Sequence, residues 1–157
     1  MASAGDTPGV IAPPPLLFLG VLALGAALDF GLLRVSTGLP GGLRFGAGAV
    51  LAAGATGLAL AALWRFHKAG TAAEPWRPST ALVTGGVYRF TRNPMYLAMA
   101  LLYLGLALAM DSGVALALLP PLVAVVQAGV ISREERYLEG RFGDEYRRYR
   151  AAVRRWI

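Results

Sequence analysis

The sequence predicts an all-α fold: an integral-membrane bundle of four transmembrane helices, with a cytoplasmic loop and an amphipathic C-terminal helix. Three observations predict it. Of 157 residues, 56% are hydrophobic and only 15% charged, and the mean hydropathy of +0.54 is too apolar for a water-soluble domain of this size. The apolar residues collect in four runs near the roughly 20 residues that a helix needs to cross a bilayer. Basic residues gather in two of the stretches outside those runs and are sparse in the others.

The first span is expected from Leu16 to Val35, after the Pro13-Pro14-Pro15 stop, and the second from Phe45 to Phe66. The third, Met95 to Met110, is short and must borrow a turn at either end; the fourth runs from Gly113 to Ile131. Asp111-Ser112-Gly113 reads as a tight polar turn, so spans three and four form an antiparallel hairpin. Three regions result: an N-terminal tail over 1–15, spans one and two over 16–67, and a core over 68–157. The tail lacks Lys and Arg, so it lacks the basic start of a cleavable secretory signal.

The loop from His67 to Asn93 carries Lys68, Arg77, Arg89 and Arg92, and eight arginines follow Ile131. The connection between spans one and two has only Arg34 and Arg44. The excess of positive charge therefore puts the central loop and both termini in the cytoplasm. The net charge of +6 flanks apolar runs, which points to anionic lipid headgroups at the bilayer and not to nucleic acid. With no Cys and one His, a cysteine nucleophile, a disulfide and a multi-histidine metal centre are excluded.

Small residues Ala49, Ala53, Gly57 and Ala61 recur every four residues in span two, a pattern that lets a neighbouring helix approach closely. In the tail, Phe142, Tyr146, Tyr149, Val153 and Trp156 share one helical side, with Asp144 as the expected N-cap. Such a helix either lies in the membrane interface or folds under the bundle to close a pocket. Asp29 within span one either reaches the interface, pairs with Arg34 or serves function. His67 reads as a boundary residue, and the Pro120-Pro121 pair as a possible bend in span four.

Two polar stretches carry the chemistry. One is Gly86-Val87-Tyr88-Arg89-Phe90-Thr91-Arg92-Asn93-Pro94-Met95-Tyr96; the other is Glu134-Glu135, followed by Phe142-Gly143-Asp144-Glu145-Tyr146. Pro94 suits the first position of a helix and Asn93 its N-cap. The free N–H groups of that first turn, beside Arg92, suit a carboxylate or phosphate. Tyr88 and Tyr96 offer aromatic faces to a cation or a flat ring. Of the two acids, one can hold an ammonium group while the other orients an arginine; alternatively both pair with neighbouring arginines. Together the stretches suit a zwitterionic, amino-acid-like ligand.

These residues resemble the isoprenylcysteine carboxyl methyltransferase family, a branch of the integral-membrane methyltransferases that also includes phospholipid methyltransferases. The likeness rests on Arg92-Asn93-Pro94-Met95-Tyr96, Glu134-Glu135 and Phe142-Gly143-Asp144-Glu145-Tyr146, together with Leu82-Val83-Thr84-Gly85-Gly86-Val87-Tyr88 and Val153-Arg154-Arg155-Trp156-Ile157. The resemblance implies S-adenosylmethionine as methyl donor and a lipophilic small molecule or lipid as acceptor, in a bacterial inner membrane. It implies cofactor contacts at Leu82, Val83, Tyr88, Asn93, Pro94, Met95, Tyr96 and Glu134, with Arg92 and Glu135 at the catalytic charged positions. Two positions depart from the family pattern: Asn93 stands where His is usual, and Val130 where the eukaryotic enzymes place a substrate-binding arginine. A non-catalytic scaffold or sensor on the same bundle is the alternative, and a small transporter the third.

Overall fold

In the computed structural model, which describes residues 8–74 and 77–157, the order of elements follows the hydropathy pattern. The first residues of the expected N-terminal tail, 1–7, lie outside the described residues. Helix α1, Pro14–Leu28, passes into a π-helical turn at Asp29–Leu33. Helix α2 spans Gly41–Ala69 and α3 Pro94–Ala109. Helix α4, Gly113–Val126, continues through a second π turn, Gln127–Ile131, into α5, Ser132–Phe142; α6 is Asp144–Ala152. All regular elements among the described residues are helical.

Among the described residues three helical stretches are long and apolar enough to cross a membrane: Pro14–Leu33, Gly41–Ala69 and Gly113–Phe142. The third expected span, α3, is shorter: its 16 residues reach about 24 Å, less than the roughly 30 Å hydrocarbon layer. Pro94 and the Asp111 turn set its two ends, so it borrows no turn from its flanks. The chain divides into two compact units, one of Met1–Pro13, Leu58–Met95 and Val126–Ile157, the other of Pro14–Gly57 and Tyr96–Val125.

In the second unit small residues set the helix spacing. A Cβ on Gly25 would lie 2.8 Å from the Ala115 Cα, and one on Gly48 would lie 2.8 Å from the Gly105 carbonyl oxygen. The tightly packed side of α2 therefore includes Gly48 and Ala55, whereas Ala49, Ala53 and Gly57 are exposed. This corrects the stripe expected from the sequence. So many residues of α2 are small that four-residue spacing does not single out one face. Around these contacts Phe18 meets Tyr103 edge-on at 6.3 Å, and the Tyr103 hydroxyl donates to the Ala115 carbonyl at 2.8 Å.

Asp29, only 1% exposed, ties the end of α1 to the start of α4. Its carboxylate accepts from the Ser112 hydroxyl at 2.6 Å, the Val35 N–H at 2.6 Å and the Val114 N–H at 3.2 Å. These three neutral donors hold the carboxylate, and Arg34 meets Asp29 through its backbone N–H, which donates to the Asp29 carbonyl at 2.7 Å. Asp111, the turn residue with φ of +57°, accepts from the Ser36 hydroxyl and from the Thr37 N–H and hydroxyl, and pairs with Arg44 at 3.2 Å. The Thr37 contacts, with Ser36 and Arg44 adding, hold its carboxyl below the usual carboxylate range.

The C-terminal amphipathic segment is a helix pair. Gly143, at φ +52°, ends α5 and precedes α6. Asp144 is the first residue of α6 and not its N-cap; its carboxylate accepts from Arg147 at 2.6 Å. Val153 and Trp156 lie beyond the helix, in a non-helical tail. Helix α4 runs unbroken through Pro120 and Pro121, and the irregularity of this stretch falls instead at the π turn.

Candidate functional site

The first unit brings the two polar motifs together. Gly86, with φ +63°, opens a 3-10 turn, Gly86–Arg89, that the left-handed region makes accessible to glycine. A Cβ on Gly85 would overlap the Arg65 guanidinium, so the glycine pair also makes room for that side chain. The turn buries Tyr88, whose ring meets Phe66 edge-on at 5.6 Å. The Tyr149 hydroxyl of α6 donates to the Tyr88 carbonyl at 2.8 Å. Burial, with the Tyr149 and Glu134 charges adding, raises the Tyr88 phenol far above its ordinary range, so it stays neutral.

Arg92 and Glu135 lie 43 residues apart in sequence and pair at 2.8 Å, both nine-tenths buried. A second guanidinium completes the pair. Arg155 donates from Nε to Oε1 of Glu135 at 3.0 Å and from Nη2 to Oε2 at 2.6 Å, the forked geometry that matches a carboxylate. Glu135 thus holds three charge-assisted hydrogen bonds. Its partners are Arg92 and Arg155, not the adjacent Arg133 and Arg136; Arg133 donates to the Gly9 carbonyl at 2.8 Å. The Arg92 guanidinium also donates from Nη1 to the Arg150 carbonyl at 2.9 Å, while its Nε is buried and meets no acceptor among the described residues.

Arg155 also acts through its backbone. Its carbonyl accepts from the Thr91 hydroxyl at 3.2 Å and from the Asn93 side-chain amide at 2.9 Å, and the Arg154 carbonyl accepts from the Arg92 N–H at 3.0 Å. The Trp156 indole N–H donates to Gln127 at 2.8 Å, on the π turn that precedes the acids. The segment 153–157 therefore runs along residues 91–93 and is fastened at both sides. Asn93 directs its amide to this segment, and Pro94 begins α3 as expected.

Tyr146, buried against this network, has its phenol pushed up to about 12, chiefly by burial, with Glu135 adding and the nearby arginines opposing. Burial likewise raises Tyr149. Leu82, Val83 and Met95 are half-buried, Pro94 and Tyr96 are buried, and Glu134 is half-buried at the start of α5. Val130 is completely buried within the π turn, so no cation occupies the position of the eukaryotic substrate arginine. Sequence reasoning missed Arg65, the Arg155 fork and the Gln127–Trp156 bond. The closing Val153–Ile157 stretch carried a sequence signal for the last two, and none pointed to Arg65.

Comparison with known proteins bears on the family of the chain. An uncharacterized protein of Haemophilus influenzae (strain Rd) is 43% identical over 63 residues, which cover 40% of this chain and the whole of that shorter protein. No solved structure matches the chain. The family model described as phospholipid methyltransferase matches residues 43–145, well over half of the sequence, and includes both the Arg92–Tyr96 stretch and the acid pair. The chain belongs to the phospholipid methyltransferase family.

Proposed function

We propose that the protein uses S-adenosylmethionine to methylate a lipophilic acceptor within the membrane. The observation that carries this reading is the 2.8 Å contact between Arg92 and Glu135, which joins the start of α3 to the acid pair in a member of this family. The residues present fit the cofactor. The buried Arg92 Nε calls for an acceptor such as a carboxylate. The first turn of α3 offers backbone N–H groups to the same charge. Glu134 complements an ammonium group, and Tyr88 offers an apolar aromatic wall. Leu82, Val83, Asn93, Pro94, Met95 and Tyr96 complete the proposed contacts.

When bound, the cofactor supplies an electrophilic methyl group on a sulfonium. The protein's part is alignment of donor and acceptor and exclusion of water. Arg92 and Glu135 act in this reading as positioning groups, because both Glu135 oxygens are engaged by guanidinium donors. A carboxylate or thiolate acceptor arrives nucleophilic. An amine acceptor must lose a proton, and water takes it while Glu135 stays paired. The buried Val130 gives a substrate carboxylate no cation at that position, which weighs against a prenylcysteine acceptor relative to a lipid amine or a small thiol. Residues 68–157 form the catalytic core in this reading. Helix α3 serves as a short fourth membrane helix, and both termini face the cytoplasm of a bacterial cell.

Cofactor titration of purified protein in detergent tests the site. Glu134→Ala and Tyr96→Ala each weaken binding about tenfold or more, the loss of one charge-assisted or buried contact. Equal affinity in all three proteins removes the site assignment. The alternative, a cofactor-binding scaffold without turnover, is favoured by the Asn93 amide being engaged by the Arg155 carbonyl. It is supported if cofactor binds tightly and no acceptor is methylated.

A further inference from the structure

We propose that Arg155 is a positioning residue of the methyl-transfer site, acting through Glu135 and through its own carbonyl on residues 91–93; this inference rests on the reading above. Arg155 holds Glu135 by a forked pair at 3.0 and 2.6 Å, whereas Arg92 reaches the same carboxylate through one nitrogen at 2.8 Å. The fork therefore fixes where the carboxylate stands, and the carboxylate fixes Arg92. The Arg155 carbonyl at the same time holds Thr91 and Asn93. The residues leading into α3 are thus set from two sides by one tail residue. The unpartnered, buried Nε of Arg92 is the group whose direction depends on this arrangement.

Arg154 provides an internal control. Its side chain is exposed, and its recorded contact is the backbone carbonyl that accepts from Arg92. Replacing Arg154 with Ala removes the same formal charge from the same segment and leaves the Glu135 fork intact. Lysine at 155 keeps the charge but cannot form the fork.

The experiment uses the full chain in detergent, with S-adenosylmethionine as probe and hydrogen–deuterium exchange of the peptide covering residues 88–96 as a second readout. Arg155→Ala is expected to raise exchange over 91–93 by about tenfold and to weaken cofactor binding by about tenfold. Arg155→Lys is expected to recover part of both, and Arg154→Ala to match the unmodified protein. Exchange over 91–93 that does not change in Arg155→Ala overturns the inference. So does unaltered cofactor affinity in that variant, provided the unmodified protein binds. If the unmodified protein binds no cofactor, the functional reading fails by itself, and the exchange arm still decides whether Arg155 positions Arg92.

Discussion

Among the described residues two carboxylates are buried, and they are satisfied in opposite ways. Asp29, 1% exposed, is held by a serine hydroxyl and two backbone N–H groups, all neutral. Glu135, 7% exposed, is held by two guanidiniums. The neutral donors around Asp29 belong to the segments that follow α1 and begin α4, so its bonds close a helix junction. The guanidiniums around Glu135 carry further donors, and one of them, the Arg92 Nε, has no partner among the described residues. A buried acid that is satisfied by backbone locks a fold. One that is satisfied by arginines fixes charged groups that still have bonding capacity to offer a ligand.

Removing Glu135 should have the largest effect. Glu135→Ala leaves Arg92 buried without a counter-ion and frees the Arg155 fork, at a cost of about 3 kcal/mol, since breaking a buried pair strands the remaining charge. Cofactor binding should fall by two orders of magnitude or more, about 3 kcal/mol by the usual conversion. Unfolding in denaturant and cofactor titration check the two halves. Asp29→Asn sharpens the contrast. It turns one acceptor oxygen into a donor facing Ser112 Oγ, Val35 N–H or Val114 N–H, so the unfolding midpoint should drop while cofactor affinity stays within about twofold. A large loss of affinity would show that the Asp29 junction is also part of the chemistry.

The surroundings of Glu135 should also appear in alkaline titration. Tyr146 is raised from its ordinary value to about 12, so the folded protein keeps that proton at a pH where an unfolded tyrosine, near 10, has lost it. The unfolded state then binds fewer protons, and stability falls as pH rises. The contribution of Tyr146 is complete below about pH 10 and declines from there through about pH 12. Ultraviolet titration of tyrosinate, comparing the protein with Tyr146→Phe, should show one phenol fewer ionising near pH 12 in the variant. The smallest effect is expected at Arg34, the neighbour that sequence reading offered as a partner for Asp29. Arg34→Ala should change stability by less than about 0.5 kcal/mol, because no recorded contact of Asp29 involves its side chain.

The sequence was legible where one strong physical term decided the outcome. Apolar runs located the helices because a membrane span leaves no other choice for the backbone. The Asp111 turn and Pro94 at the start of α3 followed from residues with few alternatives. The meeting of the two polar motifs was legible because both carry charge next to apolar spans. What was not legible depended on direction. The packing side of α2 was misassigned because small residues occur all around it. The π turn at Gln127–Ile131 has no composition of its own, and it alters the rotation of every residue after it, including Glu134 and Glu135. Asp144 after Gly143 read as the N-cap of a C-terminal helix, whereas it is the first residue of α6, and a further helix, α5, ends just before Gly143. Arg155 was one arginine among eight, and only tertiary structure distinguishes it from Arg154.

The most direct test is incubation of the purified protein with methyl-labelled S-adenosylmethionine and a bacterial membrane extract, followed by separation of the products. Label is expected in a lipid-soluble or small-thiol product with the unmodified protein, and its formation should be at least tenfold slower with Glu135→Ala, through loss of alignment. Saturable cofactor binding with no labelled product in any fraction would contradict the assignment as a methyltransferase.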